Sequence, residues 1–140
     1  MSSISRLAKR AMNSLLANRK VFVVEDEMLV LIMIESMLED LGCTDVVVAS
    51  TVQSALSLVG NNDFDIAMLD MNLGGASSSL IADALDTRGV PFAFCTGNAS
   101  GDSRPGARPR RVLRKPFDFQ MMAAAMADLL LERDNFSPAA

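Results

Sequence analysis

The sequence contains no histidine among its 140 residues. That removes the commonest general base and the commonest metal ligand, so any chemistry must rest on carboxylates, hydroxyls or lysine. Tyrosine is also absent, and there are only two cysteines, Cys43 and Cys95. They stand far apart, in no metal or redox spacing, and read as reduced thiols of a cytoplasmic protein. No stretch approaches the ~18 apolar residues of a membrane helix. The N-terminal stretch interleaves charge with apolar residues and lacks the continuous apolar block of a signal peptide. What is present is 50% hydrophobic, enough for the core of one compact domain.

The net charge of −4 conceals strong segregation. Arg6, Lys9, Arg10, Arg19 and Lys20 make the start of the chain basic, and the following stretch to residue 103 is acidic, with Arg88 its one basic residue. A second basic cluster follows: Arg104, Arg108, Arg110, Arg111, Arg114 and Lys115. Such blocks are usually solvated faces. The second cluster lacks aromatics and a recognition helix, so no nucleic-acid partner is expected.

Apolar patterning sets the fold class. "KVFVVEDE" is a buried strand, Val21 to Val24, that stops on acids. Met28, Leu31, Ile32, Leu38 and Leu41 then recur at helical spacing, and Gly42 is a natural stop. "DVVVA" is a second strand. Thr51 can cap a helix with Val52, Ala55, Leu56 and Val59 inward, broken by Gly60, Asn61 and Asn62. "DIAMLD" is the third strand, followed by a helix with Leu80, Ile81, Ala84 and Leu85 on one face. "PFAFCT" is the fourth strand, and a short fifth lies near Val112 and Leu113. Asp118 can cap a last helix with Met122, Ala125, Met126 and Leu129 inward. Alternation of strands and helices predicts an α/β doubly wound parallel sheet covered on both faces. Five strands with right-handed crossovers suggest the flavodoxin-like order 2-1-3-4-5. The site of such a sheet lies beyond the carboxyl ends of its strands, at the switch point between strands 1 and 3.

That is where the acids fall. Glu25 and Asp26 close strand 1, Asp70 closes strand 3, Thr96 closes strand 4 and Lys115 follows strand 5. Converging carboxylates repel, and a proton or a cation must relieve them. With no His or paired Cys, a hard cation with oxygen ligands is the natural guest, and Mg²⁺ fits best. Asp70 can then act as a nucleophile that takes a phosphoryl group. Lys115 and the Thr96 hydroxyl can meet phosphate oxygens, Asn72 can offer its main-chain carbonyl to the metal, and Gly74 and Gly75 let the loop bend beside the site. Each residue alone has a plainer reading as a cap, turn or surface side chain. Their joint placement at the strand ends favours a site.

These elements, "VVEDE", "MLDMNLGG", "CTG" and "RKPF", make the chain resemble the receiver domain of two-component response regulators over residues 20–133. The resemblance implies Asp70 as phosphoacceptor, Asp26 as direct metal ligand with Glu25 acting through water, Asn72 as the carbonyl donor, and Thr96 and Lys115 as phosphate sensors. It also implies phosphate taken from a histidine kinase and lost by hydrolysis. "PFAFCTG" is similar to an alphaproteobacterial subgroup with a Phe-Ala-Thr-Gly motif, Cys95 standing for its Ala. "MNLGG" is similar to receivers served by HWE-type kinases. The chain departs from the family at Val112, where an aromatic switch residue is usual. It departs again from Gly97 to Arg111, which has three Gly, two Pro and no apolar face. The composition predicts a mobile loop there, in place of a fourth helix. Phosphate at Asp70 would draw in Thr96 and Lys115 and order it.

Ile4, Leu7, Ala8, Ala11, Met12, Leu15 and Leu16 form a helical stripe within residues 1–19, with Ser2 or Ser3 as cap. This added helix can pack on its own domain, meet a partner or a second copy, or lie on a membrane surface, the last least favoured. Residues 134–140 read as a flexible tail, with no effector domain. The expected function is a stand-alone response regulator that accepts phosphate on Asp70 and binds a downstream protein, or drains phosphate as a sink. It is not expected to be an enzyme. The alternative is an Mg²⁺-dependent phosphatase with an aspartyl-phosphate intermediate. Such enzymes need a second acid two residues past the nucleophile, where this chain has Asn72. A receiver that binds without phosphate is disfavoured by the intact acidic set.

Overall fold

The computed structural model describes residues 10–97 and 110–135. Apolar residues run without interruption along the central strands, and alternate side chains point to opposite faces of the sheet. β1 (Lys20–Val24), β2 (Asp45–Ala49), β3 (Ile66–Asp70), β6 (Phe92–Thr96) and β7 (Arg111–Arg114) form a parallel sheet in the order β2-β1-β3-β6-β7. This is the expected 2-1-3-4-5 arrangement. Between β3 and the next helix, β4 (Asn72–Leu73) and β5 (Ala76–Ser77) form a small antiparallel ribbon that the sequence pattern did not announce.

The helices are α1 (Met28–Asp40), α2 (Val52–Asn61), α3 (Ser79–Thr87) and α4 (Phe119–Asn135). Thr51 and Asp118 cap α2 and α4 as the sequence suggests, accepting from the Ser54 and Met121 amides at 3.1 and 2.8 Å. Val21, Val23, Ile66 and Met68 face one core with α1 and α4, among them Ile34, Leu38, Met122 and Met126. Phe22, Val24, Ala67, Leu69, Phe92 and Phe94 face a second core with α2 and α3. There the Phe22 and Phe64 rings stack at 4.4 Å.

Several details differ from the sequence reading. Met28 and Ile32 are exposed, and Ile34 takes the inward place with Leu38. The run over α1 is apolar on nearly every side, so spacing alone could not fix which stripe faces the sheet. Leu80 is likewise exposed, and Ala82 joins Ile81 and Leu85 inside. Gly60 and Asn61 continue α2 instead of breaking it, because the Asn61 side chain donates back to the Ser57 carbonyl at 2.9 Å. α4 runs past residue 133 to Asn135, with Asp134 held by Arg19 at 2.9 Å.

Residues 10–13 are helical and end in a turn. Leu16 is fully buried in the α1/α4 core, Met12 and Leu15 pack against it, and the Leu16 amide donates to the Leu41 carbonyl at 2.8 Å. Gly42, at φ +88°, lies so close that a Cβ there would run into the Asn13 carbonyl oxygen. The start of the expected N-terminal helix, the segment expected to lack a fourth helix and the end of the tail fall outside the described residues. No described helix is long and apolar enough to cross a membrane.

Candidate functional site

The site is built from residues just past the sheet's hydrogen-bond ladders. The Glu25 amide donates to Ala49 at 3.0 Å, the Met71 amide to Cys95 at 3.1 Å, and the Lys115 amide to Thr96 at 2.8 Å. The backbones that carry Glu25, Asp70 and Lys115 are therefore fixed by neighbouring strands. In register, Val24 lies opposite Leu69, which brings Glu25 beside Asp70 one step further on.

Glu25, Asp26 and Asp70 each offer a carboxylate oxygen, and these oxygens lie within 4.8 Å of one another. Glu25 and Asp70 are buried and Asp26 is exposed. The Lys115 ammonium donates to both Glu25 oxygens, at 3.0 and 3.2 Å, and to Asp70 Oδ2 at 3.2 Å. The other Asp70 oxygen accepts the Asn72 amide at 3.1 Å. Thr96 is buried and Gly97 exposed, and both line the same cleft of about 350 Å³. Gly74 stands over the acids: at φ +59° a Cβ there would come within 3.5 Å of Asp26 Oδ2. The Asn72 side chain is engaged in the ribbon turn, its Oδ1 accepting the Gly75 amide at 2.8 Å.

Electrostatics follow from this crowding. Burial, reinforced by the charge of Asp70 and opposed by the Lys115 hydrogen bond, pushes Glu25 up to about 7. Burial works against the Lys115 ammonium, but its bonds to Glu25 and the charge of Asp70 outweigh that and hold it above its ordinary value. Cys95, in register with Asp70, is buried, and desolvation pushes its thiol up to about 12. Buried as a neutral thiol, it is a poor nucleophile at neutral pH.

The structure thus brings together Glu25, Asp26, Asp70, Asn72, Thr96, Gly97 and Lys115. Val112 stands apart, partly exposed on edge strand β7 in register with Phe94. Sequence reasoning missed Glu27, an exposed acid that also lines the cleft. Its signal was the third consecutive acid of "VEDE". A larger cleft of about 740 Å³ lies at the opposite pole, by the amino ends of β3, β6 and β7. Its charges are mutually paired, Arg133 with Asp65 at 2.9 Å and Arg110 with Glu132 at 3.5 Å and with Asp86.

A family model, the response regulator receiver domain, matches residues 21–127. The chain belongs to this family. The solution structure of SdrG from Sphingomonas melonis Fr1 is 44% identical, with a TM-score of 0.69, covering 80% of this chain and 96% of that one. An anti-anti-sigma factor PhyR mutant from Bartonella quintana is 26% identical with a TM-score of 0.74, covering 94% of this chain but 55% of that one. The receiver domain of the Pseudomonas aeruginosa sensor kinase PA1611, with magnesium in its active-site cleft, shares the fold at 22% identity and a TM-score of 0.71, over 81% of this chain and 98% of that one. Among curated proteins none matches.

Proposed function

We propose that this receiver domain accepts a phosphoryl group on Asp70 from the phosphohistidine of a histidine kinase and signals through that modification. The observation that carries the reading is the convergence of three carboxylate oxygens within 4.8 Å, with Lys115 bridging Glu25 and Asp70. An Asp70 oxygen attacks phosphorus, a new O–P bond forms, and the P–N bond breaks with its electron pair leaving on the imidazole. Phosphoryl transfer asks for positioning and charge neutralisation more than acid–base work. The Asn72 amide and the Lys115 ammonium orient the attacking carboxylate. Lys115, once released from Asp70, and the Thr96 hydroxyl can then meet phosphoryl oxygens.

The donor set is all oxygen and opens to water at Asp26, which suits Mg²⁺, a hard ion that keeps several waters. Glu25, Asp26, Asp70 and the Asn72 main-chain carbonyl would hold it. When bound it supplies neutralisation of charge at the transferring group. The position two past Asp70 is Asn72, whose side-chain oxygen already accepts a hydrogen bond. No second acid stands there to drive phosphatase turnover, which supports a signalling protein over an enzyme.

The "FCTG" and "MNLGG" stretches, together with the similarity to SdrG, support membership of the Phe-Ala-Thr-Gly subgroup and an HWE-type kinase as donor. Output through a protein target, or action as a phosphate sink, fits a cytoplasmic domain. Incubation with acetyl phosphate and Mg²⁺, followed by intact mass measurement, should show one added phosphoryl group that Asp70→Asn lacks. Equal labelling of the variant would remove Asp70 as acceptor.

A further inference from the structure

Glu27 lines the mouth of the cleft beside Asp26, and nothing in the proposed transfer uses it. Its backbone is fixed on both sides. The amide donates to Glu25 Oε1 at 3.3 Å, and the carbonyl accepts the Leu31 amide at 2.9 Å as α1 begins. Its side chain makes no capping bond, and among the described residues it has neither hydrogen bond nor ion pair. The backbone keeps the residue at the rim of the cleft, and the side chain is exposed to solvent.

The charges around it give this position weight. With Glu25 ionised, as a bound cation requires, Glu25, Asp26 and Asp70 would carry three negative charges, and Lys115 is bonded inward to two of them. A divalent cation in that seat, added to the ammonium, brings the inner site to neutrality. Glu27 is then the uncompensated charge at the mouth, among the described residues. A small phosphoryl donor in free solution is an anion and must pass it. A donor carried on a protein brings its own contact surface, against which one rim charge matters less.

We infer that Glu27 is a specificity-determining residue that selects against small anionic phosphoryl donors, an inference that rests on Asp70 being the acceptor. A plainer role exists beside it: an acid at a helix N-terminus favours the α1 dipole. That role would appear in stability and not in donor preference.

The test compares the full chain with Glu27→Gln and Glu27→Asp at saturating Mg²⁺, reading phosphoryl incorporation by intact mass. Acetyl phosphate and phosphoramidate serve as donors. With acetyl phosphate, an Asp70 oxygen bonds to phosphorus and acetate leaves with the electron pair of the broken P–O bond. Phosphoramidate reacts likewise with loss of ammonia and carries less net negative charge. Glu27→Gln should raise the acetyl phosphate rate about two- to fivefold at low ionic strength, by less for phosphoramidate, and by almost nothing near 1 M salt. Glu27→Asp should behave as the parent. An unchanged rate, a gain equal for both donors, a gain insensitive to salt, or the same gain in Glu27→Asp would overturn the inference while Asp70 stands. Failure of both the parent and Glu27→Gln to take a phosphoryl group from either donor would overturn both.

Discussion

Glu25 sits where burial and a neighbouring carboxylate both disfavour its charge, and its folded value of about 7 lies well above the 4.5 of a free glutamate. The consequence for stability has a definite sign. In the metal-free protein the contribution tied to Glu25 is whole below about 4.5 and is lost as pH rises through about 7, because the folded state keeps a proton that the unfolded chain releases. Urea unfolding in a chelator should therefore show a fall in stability across that window, and Glu25→Gln should flatten it. An unchanged pH profile in the variant would assign the slope to other groups. At this scale the chain was partly legible. Asp70, Glu25, Asp26 and Lys115 could be named because each closes or follows an apolar strand. The Glu25–Lys115 pairing could not, since it joins residues 90 apart and depends on how two side chains bend toward one point. Glu27 was passed over for a similar reason: an exposed acid ahead of a helix looks like any other until a cleft is seen beside it.

Among the elements, the turn after the N-terminal helical residues shows how an addition becomes part of a fold. Leu16 reaches the core shared by α1 and α4, and Arg19 ties the same segment to Asp134 at 2.9 Å and to Asp65 at 3.7 Å. Leu16→Ala should cost about 2–4 kcal/mol, the range for deleting buried methyl groups from a packed interior. Equilibrium urea unfolding measures it, and a cost below about 0.5 kcal/mol, as at exposed positions, would show that the segment is only laid against the surface. The amphipathic spacing of Met12, Leu15 and Leu16 was visible in the sequence, but its docking partner was not. In α1 the spacing misled, because Met28 and Ile32 are apolar yet exposed. The β4–β5 ribbon was invisible to periodicity: its strands are two residues each, and only the paired glycines at positive φ hinted at the turn.

Taken whole, the molecule separates its tasks by pole. The acids and Lys115 gather at the carboxyl ends of the strands, while the opposite end is closed by mutually paired charges. The alternation of side chains along β1, β3 and β6 was enough to foresee a layer of helices on each face, because strands buried on both sides leave no other arrangement. That same alternation makes the sheet a partition between two interiors, one holding Leu16 and Leu38 and the other holding Leu85 and Phe64. Losses on opposite sides should behave as separate events. The combined variant Leu16→Ala with Leu85→Ala should lose the sum of the single costs to within about 0.5 kcal/mol, whereas Leu16→Ala with Leu38→Ala, inside one compartment, should deviate by more. Double-mutant cycles by chemical unfolding read this directly, and strong coupling across the strands would mean that the backbone wall transmits strain from one compartment to the other.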